Sequence, residues 1–438
     1  MARTGGGDLG RRTVVPPVVI ALAGSALLFT GAEASAETPT FARDVAPIFQ
    51  AKCQVCHRPE SMAPMSLLTY EQSRPWARSI RNRVALREMP PWHLDPTVGI
   101  QRYKNDLSLN DEQIDTIVRW VDGGAPRGNP ADLPPPVEWP DEESWEIGTP
   151  DWIVTSPEHT MYAEGTDWWP NFTVDSGLTE DRYIKAIETK PSPAGRRVVH
   201  HAVTSLVQDE QTDMGYLSEY APGKYGDIFA DDTGRLIEAG SQVRFNMHYF
   251  AIGEEVTDRT SVGMVFYPRG VVPKYAAVEI NVGTDPGGLY RELDIPPHSV
   301  TRHDGYYTLP KAARLISYQP HMHMRGKAMT MEAIYPSGET ETLSAVDRFD
   351  FNWHVAYVYE DDVAPLLPAG TVLHTIGIHD NTAANRLNPD PTVWVGTGNR
   401  SIDDMLQNHV ILVYLEDEDY ERMVAERRAQ LGFANDNQ

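Results

Sequence analysis

The chain has only two cysteines in 438 residues, Cys53 and Cys56. Thiols three positions apart cannot cross-link distant parts of a fold, so a disulfide scaffold is excluded and hydrophobic packing must hold the chain together. His57 follows directly and completes a Cys-x-x-Cys-His motif. In this motif both thiols form thioethers to a haem and the histidine ligates the iron. We therefore predict one covalently attached haem c at Cys53, Cys56 and His57.

Two other interpretations of the motif are weaker. A redox dithiol would stand in a thioredoxin-like βαβ context, and half of a zinc site would need a second pair of ligands. The sixth iron ligand should follow the motif, and a thioether there would make the haem an electron relay. Met89 is favoured because Pro90 and Pro91 stiffen the chain after it, as in class I c-type cytochromes. The alternatives are Met62, Met65 and His93.

Helical patterns surround the haem motif. Before it, Phe41, Val45, Ile48 and Phe49 have helical spacing. After it, Asn110 and Gln113 form a capping-box pattern that precedes a helix ended by two glycines. The apolar stripe of that helix comprises Ile114, Ile117, Val118 and Val121, with Trp120 packed nearby. Together these patterns predict a small all-α cytochrome c domain over residues 37–130.

The first 36 residues have the pattern of an export signal. Basic residues precede an apolar run from Val14 to Phe29, and Ala34-Ser35-Ala36 fits a cleavage site for small residues. An uncleaved anchor is the alternative, and the export route, general or twin-arginine, stays open. We expect a periplasmic or secreted protein with no membrane association after cleavage.

The remaining sequence predicts β-structure. A proline-rich linker covers residues 131–150, and short alternating or β-branched runs follow, separated by Gly, Pro and Asp clusters. The predicted runs are 242–252, 261–267, 277–282, 315–323, 329–335, 372–378 and 410–416, with a terminal helix over 420–430. They predict two all-β antiparallel sandwich domains of jelly-roll-like type, at residues 151–288 and 289–438. The whole chain is thus expected to be multidomain.

The charge balance excludes one class of partner. The chain has 38 basic against 62 acidic residues and a formal net charge of -24. A protein that binds nucleic acid needs a basic surface, so no nucleic-acid partner is expected.

Three histidines of the first predicted sandwich point to a metal site. His200 and His201 are adjacent in an apolar run, and His248 lies on a predicted strand. Buried imidazoles need partners, and neighbouring ones favour a shared metal ion. Adjacent side chains on a regular strand point to opposite faces, so joint ligation requires a strand end or a β-bulge.

A second site is predicted in the other sandwich. His321 and His323 form a His-x-His pair, and the period of two places both rings on one face of a strand. Imidazoles combined with a thioether favour copper. Met322 and Met324 project to the opposite face, so the thioether must come from elsewhere in the sequence.

These residues, in this order, resemble the copper type II, ascorbate-dependent monooxygenases, the family of peptidylglycine α-hydroxylating monooxygenase and dopamine β-monooxygenase. The resemblance covers roughly residues 150–420. It implies two copper ions: an electron-donating copper at His200, His201 and His248, and an oxygen-activating copper at the second site. The ligands implied at the second site, which is also the catalytic one, are His321, His323 and Met405. The acidic pair before Met405 and the segment Asp380 to Asn385 also look typical of bacterial relatives.

The implied function is hydroxylation of a small organic substrate with O₂ by an exported monooxygenase. Electrons would come from an external donor, an ascorbate-like reductant or a redox protein, through the fused haem. The alternatives are a non-catalytic copper-binding or electron-transfer protein and a haem-copper reductase of a small acceptor. His409, four residues after Met405, could compete as a ligand if that segment were helical. Four further histidines are expected in supporting or core positions: His303, His354, His374 and His379.

Overall fold

The computed structural model describes residues 37–59, 61–139, 144–208, 213–224, 226–283 and 293–431. The predicted export signal, 1–36, lies outside the described residues. In the described part, no helix is long and apolar enough to cross a membrane.

Short helices make up the region before the β-structure. A π-helical turn, Phe41–Val45, leads into α1, and Asn110 and Gln113 form the predicted capping box at the start of α4. Trp120 of α4 is fully buried against Phe41 and Phe49. The helices are α1 (Ala46–Lys52), α2 (Tyr70–Ser73), α3 (Ala77–Ala85) and α4 (Asp111–Asp122), with α5 (Asp417–Gln430) near the end of the chain. The predicted helices are therefore confirmed.

Twenty strands follow in the described residues. The first twelve are β1 (Trp152–Thr155), β2 (His159–Met161), β3 (Asn171–Asp175), β4 (Arg182–Lys190), β5 (Val199–Val207), β6 (Asp213–Tyr220), β7 (Asp227–Ile228), β8 (Thr233–Ile237), β9 (Gln242–Tyr249), β10 (Val256–Asp258), β11 (Ser261–Phe266) and β12 (Tyr275–Asn281). The other eight are β13 (Val300–Thr308), β14 (Ala312–His321), β15 (Gly326–Ile334), β16 (Thr340–Val346), β17 (Tyr357–Val358), β18 (Leu366–Leu367), β19 (Val372–Asp380) and β20 (Gln407–Leu415). All seven predicted runs coincide with strands, so a β-sandwich-like class is confirmed.

One long sheet runs through both halves of the β-region. It has ten strands, with the main order β1-β11-β4-β8-β12-β20-β14-β17. Four-stranded sheets of order β3-β9-β5-β6 and β13-β19-β15-β16 form separate layers, and apolar side chains of the long sheet form a buried core with each of them. The pairing of β8 with β12 is parallel, in contrast to the purely antiparallel prediction.

The predicted division at 288/289 falls outside the described residues, between β12 and β13. The hydrogen bonds nevertheless link the two halves, because β12 pairs with β20 along five residue positions. Local sequence patterns do not encode which distant strand β12 joins.

A segment before α4 packs into the second half. Leu94 and Tyr103 are buried in the same core as β14 and β20. Leu94 forms a bridge with Val346, and Tyr103 forms one with Tyr359. Residues 92–104, which we call the docked segment, thus join the helical region to the second half of the β-structure.

Candidate metal centres

A β-bulge brings His200 and His201 to one side of β5. The register between β5 and β9 shifts between Val199 and His201, and His201 then pairs directly with His248. The extra residue in the bulge turns the His200 ring toward that of His201. The two adjacent side chains therefore do not point to opposite faces, as they would on a regular strand. The ligating nitrogens of His200, His201 and His248 all lie within 4.8 Å of one another.

Four ring nitrogens of this group lack hydrogen-bond partners among the described residues. They are both nitrogens of His200 and the Nδ1 atoms of His201 and His248, and all four are buried. Such atoms destabilise a fold unless something binds them. Burial lowers the pKa of His200 to about 3, and burial and then the His354 ring lower the pKa of His201. His200 and His201 are therefore neutral imidazoles, as metal binding requires, and the three-histidine group fits a metal ion.

His248 is oriented by a carboxylate. Its Nε2 atom lies 2.9 Å from Oδ2 of Asp167, which also accepts a hydrogen bond from the Ser401 hydroxyl at 2.8 Å. A hydrogen bond at Nε2 leaves Nδ1 as the nitrogen that faces the other two rings. This is the usual arrangement of a metal-binding histidine with a supporting acid. Asp167 belongs to no local sequence motif, so the sequence alone predicts no role for it.

His321 and His323 lie together, although not on one strand. His321 is the last residue of β14, and His323 follows in the turn before β15, which corrects the expectation that both lie on a regular strand. Their ring centroids are 5.3 Å apart. Met322 between them is fully buried in a separate apolar cluster, as the alternation predicts. Strand pairing ends at His321 because the chain there turns toward Asp404.

Asp404 joins the chain around His323 to the chain around Met405. Its Oδ1 atom accepts the backbone N–H groups of His323 and Met405, both at 2.9 Å, and Oδ2 accepts that of Arg325 at 3.1 Å. Burial alone would raise the pKa of Asp404, but nearby His379 and these donors lower it, so the carboxylate is charged. Asp404 thereby places the backbone of the third implied ligand beside that of His323.

The two histidine groups adjoin. The ring centroids of His201 and His321 are 6.2 Å apart, and His354 lies 5.5 Å and 4.7 Å from them. His354 is fully buried on the loop between β16 and β17, residues 347–356. That loop has no periodic pattern, so only the residue type of His354 indicates a possible role in metal binding.

The other histidines occupy supporting positions. His409 bonds through Nδ1 to Glu279 at 2.8 Å, and its ring lies 6.0 Å from that of His321. His379 bonds to the carbonyl oxygen of Met405, and His303 bonds to His379. His374 is held away from both groups between Asp304 and Glu332.

The haem motif lies in the turn after α1. Neither Cys53 nor Cys56 forms a disulfide, and burial raises the pKa of Cys53 to about 12. His57 Nδ1 lies 3.2 Å from the carbonyl oxygen of Met65 and donates to it, so Nε2 carries the lone pair that an iron ion needs. Burial lowers the pKa of His57, which favours the neutral ring. This donor set fits a covalently bound haem.

The candidate sixth ligands lie in different places. Met62 lines a cavity of about 420 Å³ together with Cys56, whereas Met89 lines another of about 430 Å³. The carbonyl of Met65 supports His57, and His93 is buried where its backbone N–H bonds to the Tyr357 hydroxyl. The choice of Met89 stays a prediction.

Comparisons with known proteins do not identify a family for this chain. No protein-family model and no curated protein matches the sequence. Among solved structures, the major capsid protein P2 of bacteriophage PM2 is similar over 61% of this chain and 99% of its own, with 8% identity and a TM-score of 0.27. Allantoicase is similar over 50% of this chain and 79% of its own, with 14% identity and a TM-score of 0.15. At such TM-scores neither likeness supports an inference about this protein.

Proposed function

We propose that this chain is an exported copper-dependent monooxygenase that hydroxylates a small organic substrate. Copper bound at the two histidine groups would supply O₂ activation and electron transfer. The observation that carries the proposal is the three-histidine group with its buried, unpartnered nitrogens among the described residues, adjoining a His-x-His pair tied through Asp404 to Met405. The resemblance to the ascorbate-dependent monooxygenases gives these positions their roles.

The reaction must balance in electrons and protons. Inserting one oxygen atom of O₂ into a C–H bond and releasing the other as water consumes two electrons and two protons from outside the substrate. We propose that the helical region is a c-type cytochrome domain that relays these electrons from an external donor, with Cys53, Cys56, His57 and Met89 as the haem-binding residues. The roles of this chain's other residues are to hold and orient the ligands: Asp167 orients His248, and Asp404 orients the backbones of His323 and Met405.

The test is O₂ consumption coupled to an oxidised product. The copper-loaded protein, with ascorbate as reductant, is incubated with peptide, amine and small apolar substrates under isotopically labelled O₂. We expect label in a hydroxylated product, and loss of turnover in His321→Ala. His374→Ala is the matched control, because His374 is also buried but is held by Asp304 and Glu332. Turnover that survives His321→Ala contradicts the proposal.

An electron-transfer protein is the second candidate, and burial favours it. The side chains of His248, His321 and His323 are each less than one-tenth exposed, which suits a metal that exchanges electrons without admitting a substrate. Such a protein would be reduced and reoxidised reversibly and would incorporate no label into any product.

A further inference from the structure

His354 is the one histidine of the cluster that the proposed ligand sets leave without a role. Its side chain is fully buried. Its ring lies 5.4 Å from that of His200, 5.5 Å from that of His201 and 4.7 Å from that of His321. It therefore contacts members of both ligand groups.

The loop that carries His354 is fixed to both halves of the β-structure. The backbone N–H of His354 donates to the carbonyl oxygen of Pro222, which follows β6 in the first half, while the loop itself connects strands of the second half. Phe351 of the same loop stacks on His200 at 4.8 Å and contacts His323 at 5.8 Å. The position of His354 is thus set by backbone contacts independent of its ring.

Hydrogen bonds to the described residues do not satisfy the His354 ring. Its Nδ1 atom lies 3.2 Å from Nδ1 of His321, while its Nε2 atom is buried with no hydrogen-bond partner among those residues. If His321 donates the shared proton, Nε2 of His354 carries a buried N–H with no acceptor. If His354 donates, its Nε2 carries a buried lone pair with no donor. Either tautomer leaves one polar atom unsatisfied, which native structures rarely tolerate.

The separation of the two Nδ1 atoms suits a metal ion. Two imidazole nitrogens bound to one tetrahedral ion at roughly 2.0–2.1 Å lie about 3.3 Å apart. A distance of 3.2 Å therefore fits two ligands of one ion as well as it fits a hydrogen bond. The His201 ring of the three-histidine group adjoins this pair, with its centroid 5.5 Å from that of His354.

We propose that His354 is a copper ligand additional to the six implied by the resemblance, holding an ion together with His321 through their Nδ1 atoms. The inference rests on the copper sites of the proposed function. It makes the two histidine groups parts of one continuous centre, with His354 as the residue that belongs to both.

The test compares two substitutions at His354 by copper binding alone. His354→Asn places an amide oxygen near the position of Nδ1, so it keeps an acceptor for the His321 N–H but removes the imidazole ligand. His354→Ala removes both. Full-length protein is titrated with Cu(I) against a chromophoric chelator, and His374→Ala serves as the control. We expect both His354 variants to bind the weaker-held copper at least about 100-fold less tightly, the upper end of the effect of removing a group that only supports a ligand.

Each outcome decides the inference. Wild-type affinity in His354→Asn means that His354 only supports His321, and the inference fails while the proposed function stands. Wild-type protein that binds no copper overturns both. A third outcome is that both variants bind copper more weakly while the wild-type protein yields no labelled product. This result supports His354 as a ligand and refutes the monooxygenase. If His354→Ala does not fold, His354→Asn together with a count of imidazole ligands in the wild-type protein by X-ray absorption gives the answer.

Discussion

Replacing Asp404 by asparagine should destabilise the protein and loosen the second metal site. The carboxylate is fully buried and accepts three backbone N–H groups, those of His323, Arg325 and Met405. Asparagine keeps one oxygen for His323 and Met405 but turns an NH₂ group toward the N–H of Arg325. The variant loses one hydrogen bond to a charged acceptor, worth about 1.5–3 kcal/mol, and two donors then face each other. We expect the free energy of unfolding to fall by about 2–4 kcal/mol.

Asp403 provides a matched control one residue away. Its carboxylate pairs with the exposed guanidinium of Arg400, and such surface pairs contribute at most about 1 kcal/mol. Only its backbone carbonyl bonds to His323, and Asp403→Asn preserves that contact. Urea unfolding of the metal-free proteins measures the two losses, and copper titration measures the site. If Asp404→Asn costs no more than Asp403→Asn, our account of how Asp404 shapes the site is wrong.

Two further predictions concern the region around the haem motif. Burial and then nearby Glu146 raise the pKa of Glu188 to about 7, so the folded protein holds a proton that the unfolded chain loses near pH 4.5. The free energy of unfolding of the wild-type protein should therefore fall as pH rises from about 4.5 to 7. Glu188→Gln should lack this pH dependence and be more stable than the wild-type protein at pH 8. Urea unfolding at several pH values tests this, and parallel plots of unfolding free energy against pH for the two proteins would refute it. With haem bound at Cys53, Cys56 and His57 as proposed, Met89→Ala should convert a low-spin haem spectrum to a high-spin one, whereas Met62→Ala should not. The reverse result would assign the sixth ligand to Met62.

Local sequence patterns predicted the helices and strands, whereas the order and register of the strands depend on tertiary pairing. The alternation in 242–252 predicts β9, which buries alternate residues over most of its length, and the apolar run 410–416 predicts β20, which is buried on both faces from Val410 to Val413. The adjacency of His200 and His201 even predicts a strand irregularity, and the bulge is there. The pairing of β12 with β20 joins residues more than a hundred positions apart, and no local pattern specifies such a register.

The residues proposed as ligands can be picked out from the sequence only where they form short motifs. His321 and His323 are recognised by their spacing, although the strand ends between them. His354 and Asp167 contact the histidine cluster from irregular segments. In such segments the position of a residue in the sequence does not show which way its side chain points. Their roles depend on the loop anchored at Pro222 and on the contact with His248, which only the folded chain provides.

The docked segment determines where this chain can be cut. A protein begun at the proline-rich linker, the boundary that composition suggests, would lack Leu94 and Tyr103 and would uncover Tyr357 and Tyr359 in the core of the second half. Removing a buried aromatic side chain costs about 3–5 kcal/mol, so such a truncation should yield aggregated protein. The helical region is therefore not a detachable module, and gene fusions or domain exchanges must carry it together with the β-structure that it completes.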